Sequence, residues 1–126
     1  MARLLVVEDE GDVRELLVRH VRQDGHHVMA AGSAGEALTA VEYHGLPDAA
    51  VIDYDLPDMD GVQLLERLRA VRPTLPAVFV TVMWTGDVIA RIRATGCRHL
   101  PKPFSRHDLH GALRLILPPD GGQGER

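Results

Sequence analysis

The chain has 126 residues, 45% of them hydrophobic and 25% charged, and a formal net charge of −4. That size suits one domain around one hydrophobic core, and the negative balance argues against nucleic acid as the main partner, because phosphate binding needs a positive patch. The single cysteine, Cys97, excludes an intrachain disulfide; with no signal-peptide pattern and no apolar run of membrane-spanning length, a reducing, cytoplasmic setting is expected.

Short apolar runs alternate with amphipathic stretches along the chain. Residues 4–7 read as a strand that stops at Glu8-Asp9-Glu10, and Val13, Leu16, Leu17 and Val21 follow at helical spacing. Asp24-Gly25 ends that helix, and residues 26–31 read as a second, weaker strand. Ser33 and Glu36 form a capping-box pattern ahead of a helix with Ala37, Leu38 and Val41 on its apolar face, which Gly45-Leu46-Pro47 breaks. Residues 49–52 are a buried third strand ending at Asp53. A loop over residues 54–59 leads to Asp60, an N-cap for a helix with Val62, Leu64, Leu65, Leu68 and Val71 facing inward. Residues 77–81 form the fourth strand, residues 87–94 a short helix and residues 97–100 a fifth strand. Ser105 caps a last helix, with Asp108 three residues on and Leu109, Ala112, Leu113 and Ile116 inward; Pro118-Pro119-Asp120-Gly121-Gly122 stops it. The alternation predicts an α/β fold, a doubly wound five-stranded parallel sheet with helices on both faces. It also places the functional crevice beyond the carboxyl ends of the strands.

Those ends carry chemistry. Glu8 and Asp9 follow the first strand, Asp53 ends the third, Thr81 ends the fourth, and Lys102 follows the fifth. In a parallel sheet they share one edge, so three carboxylates, a hydroxyl and an ammonium converge. Carboxylates that close repel one another. A hard divalent cation such as Mg²⁺ relieves this and neutralises phosphoryl oxygens during transfer. A carboxylate can attack phosphorus to give an acyl phosphate. Lys102 and the Thr81 hydroxyl can then hold phosphoryl oxygens.

Four segments, in order and at compatible spacing, identify the relationship: Leu5-Val6-Val7-Glu8-Asp9-Glu10; Pro47-Asp48-Ala49-Ala50-Val51-Ile52-Asp53 with Leu56-Pro57 and Met59-Asp60-Gly61; Val80-Thr81; and Pro101-Lys102-Pro103-Phe104. With them the chain resembles a response regulator receiver domain of two-component signalling. The domain is expected over residues 1–117, with 118–126 a disordered tail or the start of a linker. The resemblance implies a flavodoxin-like (βα)5 fold with strand order 2-1-3-4-5. It implies Asp53 as phosphoacceptor, Asp9 as a direct Mg²⁺ ligand, Glu8 as its partner through water, and the Asp55 backbone carbonyl as a further ligand. Thr81 matches the switch hydroxyl, Lys102 the family's lysine, and the bond before Pro103 is expected to be cis. A histidine kinase or histidine phosphotransfer protein is the implied donor, and small donors such as acetyl phosphate often serve in its place. The domain catalyses only its own phosphorylation and dephosphorylation. A homodimer or partner through the face of the fourth helix, fifth strand and fifth helix is implied, with neither nucleic acid nor membrane contacted by this domain.

The chain departs from the family pattern at two places. Val82 follows the switch hydroxyl where a small residue is usual, and a β-branched side chain there narrows access to the phosphoryl site. His99 stands three residues before Lys102, where the family has Tyr or Phe, so an altered or pH-sensitive switch is expected. Asp55 and Met83 match positions that tune dephosphorylation, and Trp84 is either a partner anchor or a packing residue. His26, His27, His107 and His110 read as surface histidines rather than a metal site, Cys97 as a small buried hydrophobe, and Met59 as a loop packing residue. Two other functions compete. Asp53-Tyr54-Asp55 has the Asp-x-Asp spacing of haloacid-dehalogenase-like phosphatases, and a degenerate receiver would act as a phosphorylation-independent binding module.

Overall fold

The computed structural model describes residues 2–82 and 85–117. The elements alternate as β1 (Arg3–Val7), α1 (Gly11–Gln23), β2 (His27–Ala31), α2 (Ala34–His44), β3 (Ala49–Asp53), α3 (Gly61–Arg69), β4 (Ala77–Thr81), α4 (Gly86–Arg93), β5 (Arg98–Pro101) and α5 (Arg106–Ile116). The five strands form one parallel sheet in the expected order β2-β1-β3-β4-β5. Among the described residues no helix is long and apolar enough to cross a membrane.

The central strands are apolar on both faces because helices cover both. Leu5, Val7, Ala50, Ile52, Ala77 and Phe79 pack with α2, α3 and α4. Their neighbours Leu4, Val6, Ala49, Val51, Val78 and Val80 pack with α1 and α5. This period-two division within continuous apolar runs is what a buried parallel sheet requires. Each fully buried Leu, Ile or Phe contributes roughly 1.5–3 kcal/mol. After β1 the chain crosses to one face, and after β3 to the other, so a crevice opens between the two departing loops.

Local chemistry sets most boundaries. Asp60 caps α3 in a full capping box with Gln63, and Ser105 does the same for α5 with Asp108. At α2 the expected box is only half formed. Ser33 accepts from the Glu36 amide at 3.1 Å, but the Glu36 carboxylate accepts from Gly32 N–H at 2.8 Å instead of reaching Ser33. Thr85 caps α4, so that helix starts one residue earlier than its apolar pattern suggests. β5 runs one residue later than expected, leaving Cys97 before it, and β2 begins at His27. Val71 is a correction: α3 closes at Arg69, and Val71 is 73% exposed instead of facing the core. Pro73 disfavours helical backbone in the residue before it, which ends the run early. Met83, Trp84 and the tail over residues 118–126 lie outside the described residues.

Candidate functional site

The pocket forms where the chain leaves β1 and β3. Glu8 directly follows β1, and its amide bonds to the Ala31 carbonyl at 3.0 Å, so its side chain is fully buried beside the sheet edge. Arg14, on α1, donates to the Glu8 carbonyl at 2.8 Å and fixes that turn. Asp53 is the last residue of β3, level with Val80 of β4, and only 3% exposed. Glu8, Asp9 and Asp53 each offer a carboxylate oxygen within 4.8 Å of the others; among the described residues no other His, Cys, Asp or Glu group of three or more is so placed.

Lys102 reaches into this cluster from the loop after β5. Its backbone amide bonds to the Thr81 carbonyl at 3.0 Å, which extends the β4–β5 pairing to the site. Its ammonium stands 2.8 Å from Glu8 Oε1 and 3.5 Å from Asp53 Oδ2. The Glu8 contact is a close, buried ion pair. Thr81 ends β4, buried, level with Pro101. The Lys102–Pro103 bond is cis, as expected.

Electrostatics follow from this crowding. Burial, then the charge of Glu8 and a hydrogen bond shared with it, push the Asp53 carboxyl up to about 8, against the opposing pull of Lys102 and the Asp55 amide. Burial alone would lower the Lys102 ammonium, but its pairing with Glu8 and Asp53 prevails and raises it. One ammonium thus faces two buried carboxylates with Asp9 at the rim. The donor set is all hard oxygen, in excess of local positive charge, and it fits a Mg²⁺ ion.

The loop between β3 and α3 completes the site. Asp55 N–H donates to Asp53 Oδ1 at 3.1 Å, and Gly61 N–H closes the loop onto the Tyr54 carbonyl at 2.7 Å. Gly61 is obligatory at this approach, because a Cβ there would stand 2.6 Å from the Asp53 carbonyl oxygen. Met59 packs against the core, as the sequence suggests.

His99 is not in the acid pocket. It lies level with Phe79 and two residues before Pro101, half-buried on the sheet face that carries α4. Val82 is 62% exposed just beyond Thr81, at the rim of the site. Cys97 is partly buried, packs against the core and touches Arg69 Nη2 at 3.3 Å. Of the histidines, His27 and His107 are exposed, but His26 Nδ1 accepts from Ala2 N–H at 3.1 Å. His110 pairs with Asp24 at 2.9 Å, and Arg106 joins the same carboxylate at 3.0 Å. Sequence reading missed the roles of Asp58 and Asp24, whose partners lie far off in the chain, and of Arg14, whose bond to the nearby Glu8 carbonyl follows no motif.

Comparison with known proteins agrees with this geometry. The sequence model of the response regulator receiver domain matches residues 4–114. The response regulator MprA of Mycolicibacterium vanbaalenii is 35% identical over 127 residues, covering 98% of this chain and 54% of MprA. The regulatory protein TcrX of Mycobacterium tuberculosis is 35% identical over 115 residues, 90% of this chain and 49% of TcrX. The chain therefore spans about half the length of these curated relatives. A CheY-like receiver domain protein from Methanospirillum hungatei superposes with a TM-score of 0.83 at 27% identity, covering 91% of this chain and 92% of that one. With the expected fold in place and the family match spanning nearly all of it, the chain belongs to the response regulator receiver domain family.

Proposed function

We propose that this receiver accepts a phosphoryl group on Asp53 from a histidine kinase or a histidine phosphotransfer protein, with Mg²⁺ held by Glu8, Asp9, Asp53 and the Asp55 carbonyl. The observation that carries the reading is the meeting of Asp53 with Glu8, Asp9 and the Lys102 ammonium at one sheet edge. An Asp53 oxygen attacks phosphorus in line as the phosphorus–nitrogen bond of the donor breaks. The imidazole leaves with the bonding pair and takes a proton from solvent, and an aspartyl phosphate remains. The cation supplies charge neutralisation for the phosphoryl oxygens during transfer. Lys102 is already aimed at the acceptor and pairs with a phosphoryl oxygen once the acceptor carries one.

Thr81 and His99 are the switch residues in this reading. The Thr81 hydroxyl bonds the phosphoryl group, and the change is passed to α4, β5 and α5 by population shift. That face then engages a partner or a second copy, and the domain, cytoplasmic and spanning residues 1–117, acts as a signalling element that catalyses only its own phosphorylation and dephosphorylation. The test is intact mass after incubation with acetyl phosphate or phosphoramidate and Mg²⁺. One phosphoryl adduct is expected, absent from Asp53→Asn and from an EDTA control. Folded protein that binds Mg²⁺ yet takes no adduct from either donor would replace this reading with a phosphorylation-independent binding module.

A further inference from the structure

The loop over residues 54–60 carries the backbone of Asp55 past the acid cluster without regular secondary structure. Its two ends are well fastened: Asp55 N–H to Asp53, Gly61 N–H to the Tyr54 carbonyl, and an antiparallel bridge between Asp55 and Asp60. Near its tip, a side chain of the loop ties it to α2. Asp58 Oδ1 accepts from Ala34 N–H at 3.0 Å, and Asp58 Oδ2 accepts from Gly35 N–H at 2.8 Å. These are the first two amides of α2, which have no partner within the helix. The next two are met by the Ser33 hydroxyl and the Ser33 carbonyl. A carboxylate is the favoured group at this end of a helix dipole.

We propose that Asp58 is a positioning residue for the metal site: its carboxylate straps the β3–α3 loop to the N-terminus of α2 and so holds the Asp55 backbone where cation binding needs it. The inference rests on the proposed Mg²⁺ site and adds a residue to its supporting shell.

The anchored end is packed and capped. α2 is seated by buried Ala34 and Ala37 and capped by Ser33, while Leu56 and Met59 root the loop in the core beneath it. The space for the strap is provided by a residue otherwise poor in helices. A Cβ on Gly35 would stand 3.3 Å from Asp58 Oδ2, tight enough that the carboxylate would have to give by a few tenths of an ångström. The bonds from Gly35 and Ala34 also hold the Asp58 carboxyl below its ordinary range, so it is ionised wherever the site itself is. Partners that orient metal-site ligands commonly change affinity by about 10–100-fold when lost.

The experiment titrates Mg²⁺ alone into wild type, Asp58→Ala, Asp58→Asn and Ser33→Ala by calorimetry, at alkaline pH and well below each melting temperature. Ser33→Ala is the control, since it weakens the same helix end without touching the loop. The expected result is a roughly tenfold weaker Mg²⁺ affinity for Asp58→Ala, with Ser33→Ala within about twofold of wild type. Phosphoramidate labelling of Asp58→Ala should recover at saturating Mg²⁺, because the acceptor itself is intact. Should the alanine variant fail to fold, Asp58→Asn, which keeps one acceptor oxygen, is expected to weaken Mg²⁺ binding by a smaller factor. Unchanged affinity in a folded Asp58 variant, or equal weakening by Ser33→Ala, would overturn the strap while leaving the site standing. A wild-type protein that binds no Mg²⁺ would remove the site and the strap together.

Discussion

Asp53 and Glu8 are buried side by side, and their repulsion has a consequence in the metal-free protein. Because folding raises the Asp53 carboxyl from 3.8 to about 8, the native state binds its proton more tightly than the unfolded chain does. That contribution is complete below about pH 4 and is lost as pH rises through about 8. Asp53→Asn removes the titration. In EDTA the variant should melt above wild type at pH 8, and the gap should shrink toward pH 5. Thermal denaturation across that range checks this, and a constant gap would show that Asp53 does not carry the proton. Convergence at this scale was legible from positions at strand ends: Glu8, Asp9, Asp53 and Lys102 meet as their order in the sequence implies. What was not legible is the sharing of Lys102, which sits closer to Glu8 than to Asp53. Strand periodicity places residues along an edge but does not fix how one ammonium divides itself between two carboxylates.

At the scale of elements, the caps at Asp60 and Ser105 could be read directly, because a capping box is a local pattern of four residues. The fasteners between elements could not, because their partners lie far apart in the chain. Arg69, at the end of α3, donates to the Leu75 carbonyl at 2.9 Å and the Thr95 carbonyl at 2.7 Å, tying α3 to the turn between α4 and β5. Arg91 of α4 pairs with Asp60 at 3.2 Å, but its side chain is 40% exposed. Solvent screens the second pair, whereas Arg69 makes two hydrogen bonds to backbone carbonyls on two different segments. Arg69→Ala should therefore cost about 2 kcal/mol or more, and Arg91→Ala less than about 1 kcal/mol. Urea denaturation of the two variants gives the order, and an Arg91 effect equal to that of Arg69 would contradict it. Val71 belongs to the same lesson: its spacing fits the apolar face of α3, but helix length is decided by the turn toward Pro73, not by the pattern alone.

For the whole molecule, the sequence carried the architecture because five apolar runs and five amphipathic stretches leave few ways to cover both faces of one sheet. The same architecture makes the site a concentration of like charge on a well-packed scaffold. The α1–α5 and α2–α4 layers hold β1 and β3 fixed, so Glu8 and Asp53 cannot move apart to relieve their repulsion. A cation that binds only the folded arrangement must then stabilise the entire domain. At a Mg²⁺ concentration of about 100 times the dissociation constant, the linkage amounts to about 2.7 kcal/mol. For a domain of this length that corresponds to a rise in melting temperature of roughly 10 °C. The rise should be larger at pH 8 than at pH 5, since at the lower pH Mg²⁺ must displace the proton on Asp53. It should be much smaller in Asp53→Asn, which has lost a ligand charge. Melting curves with Mg²⁺ and with EDTA at both pH values separate these cases. A Mg²⁺ shift that Asp53→Asn retains in full would place the cation elsewhere on the surface, and the acid cluster would then be an electrostatic strain that Lys102 alone compensates.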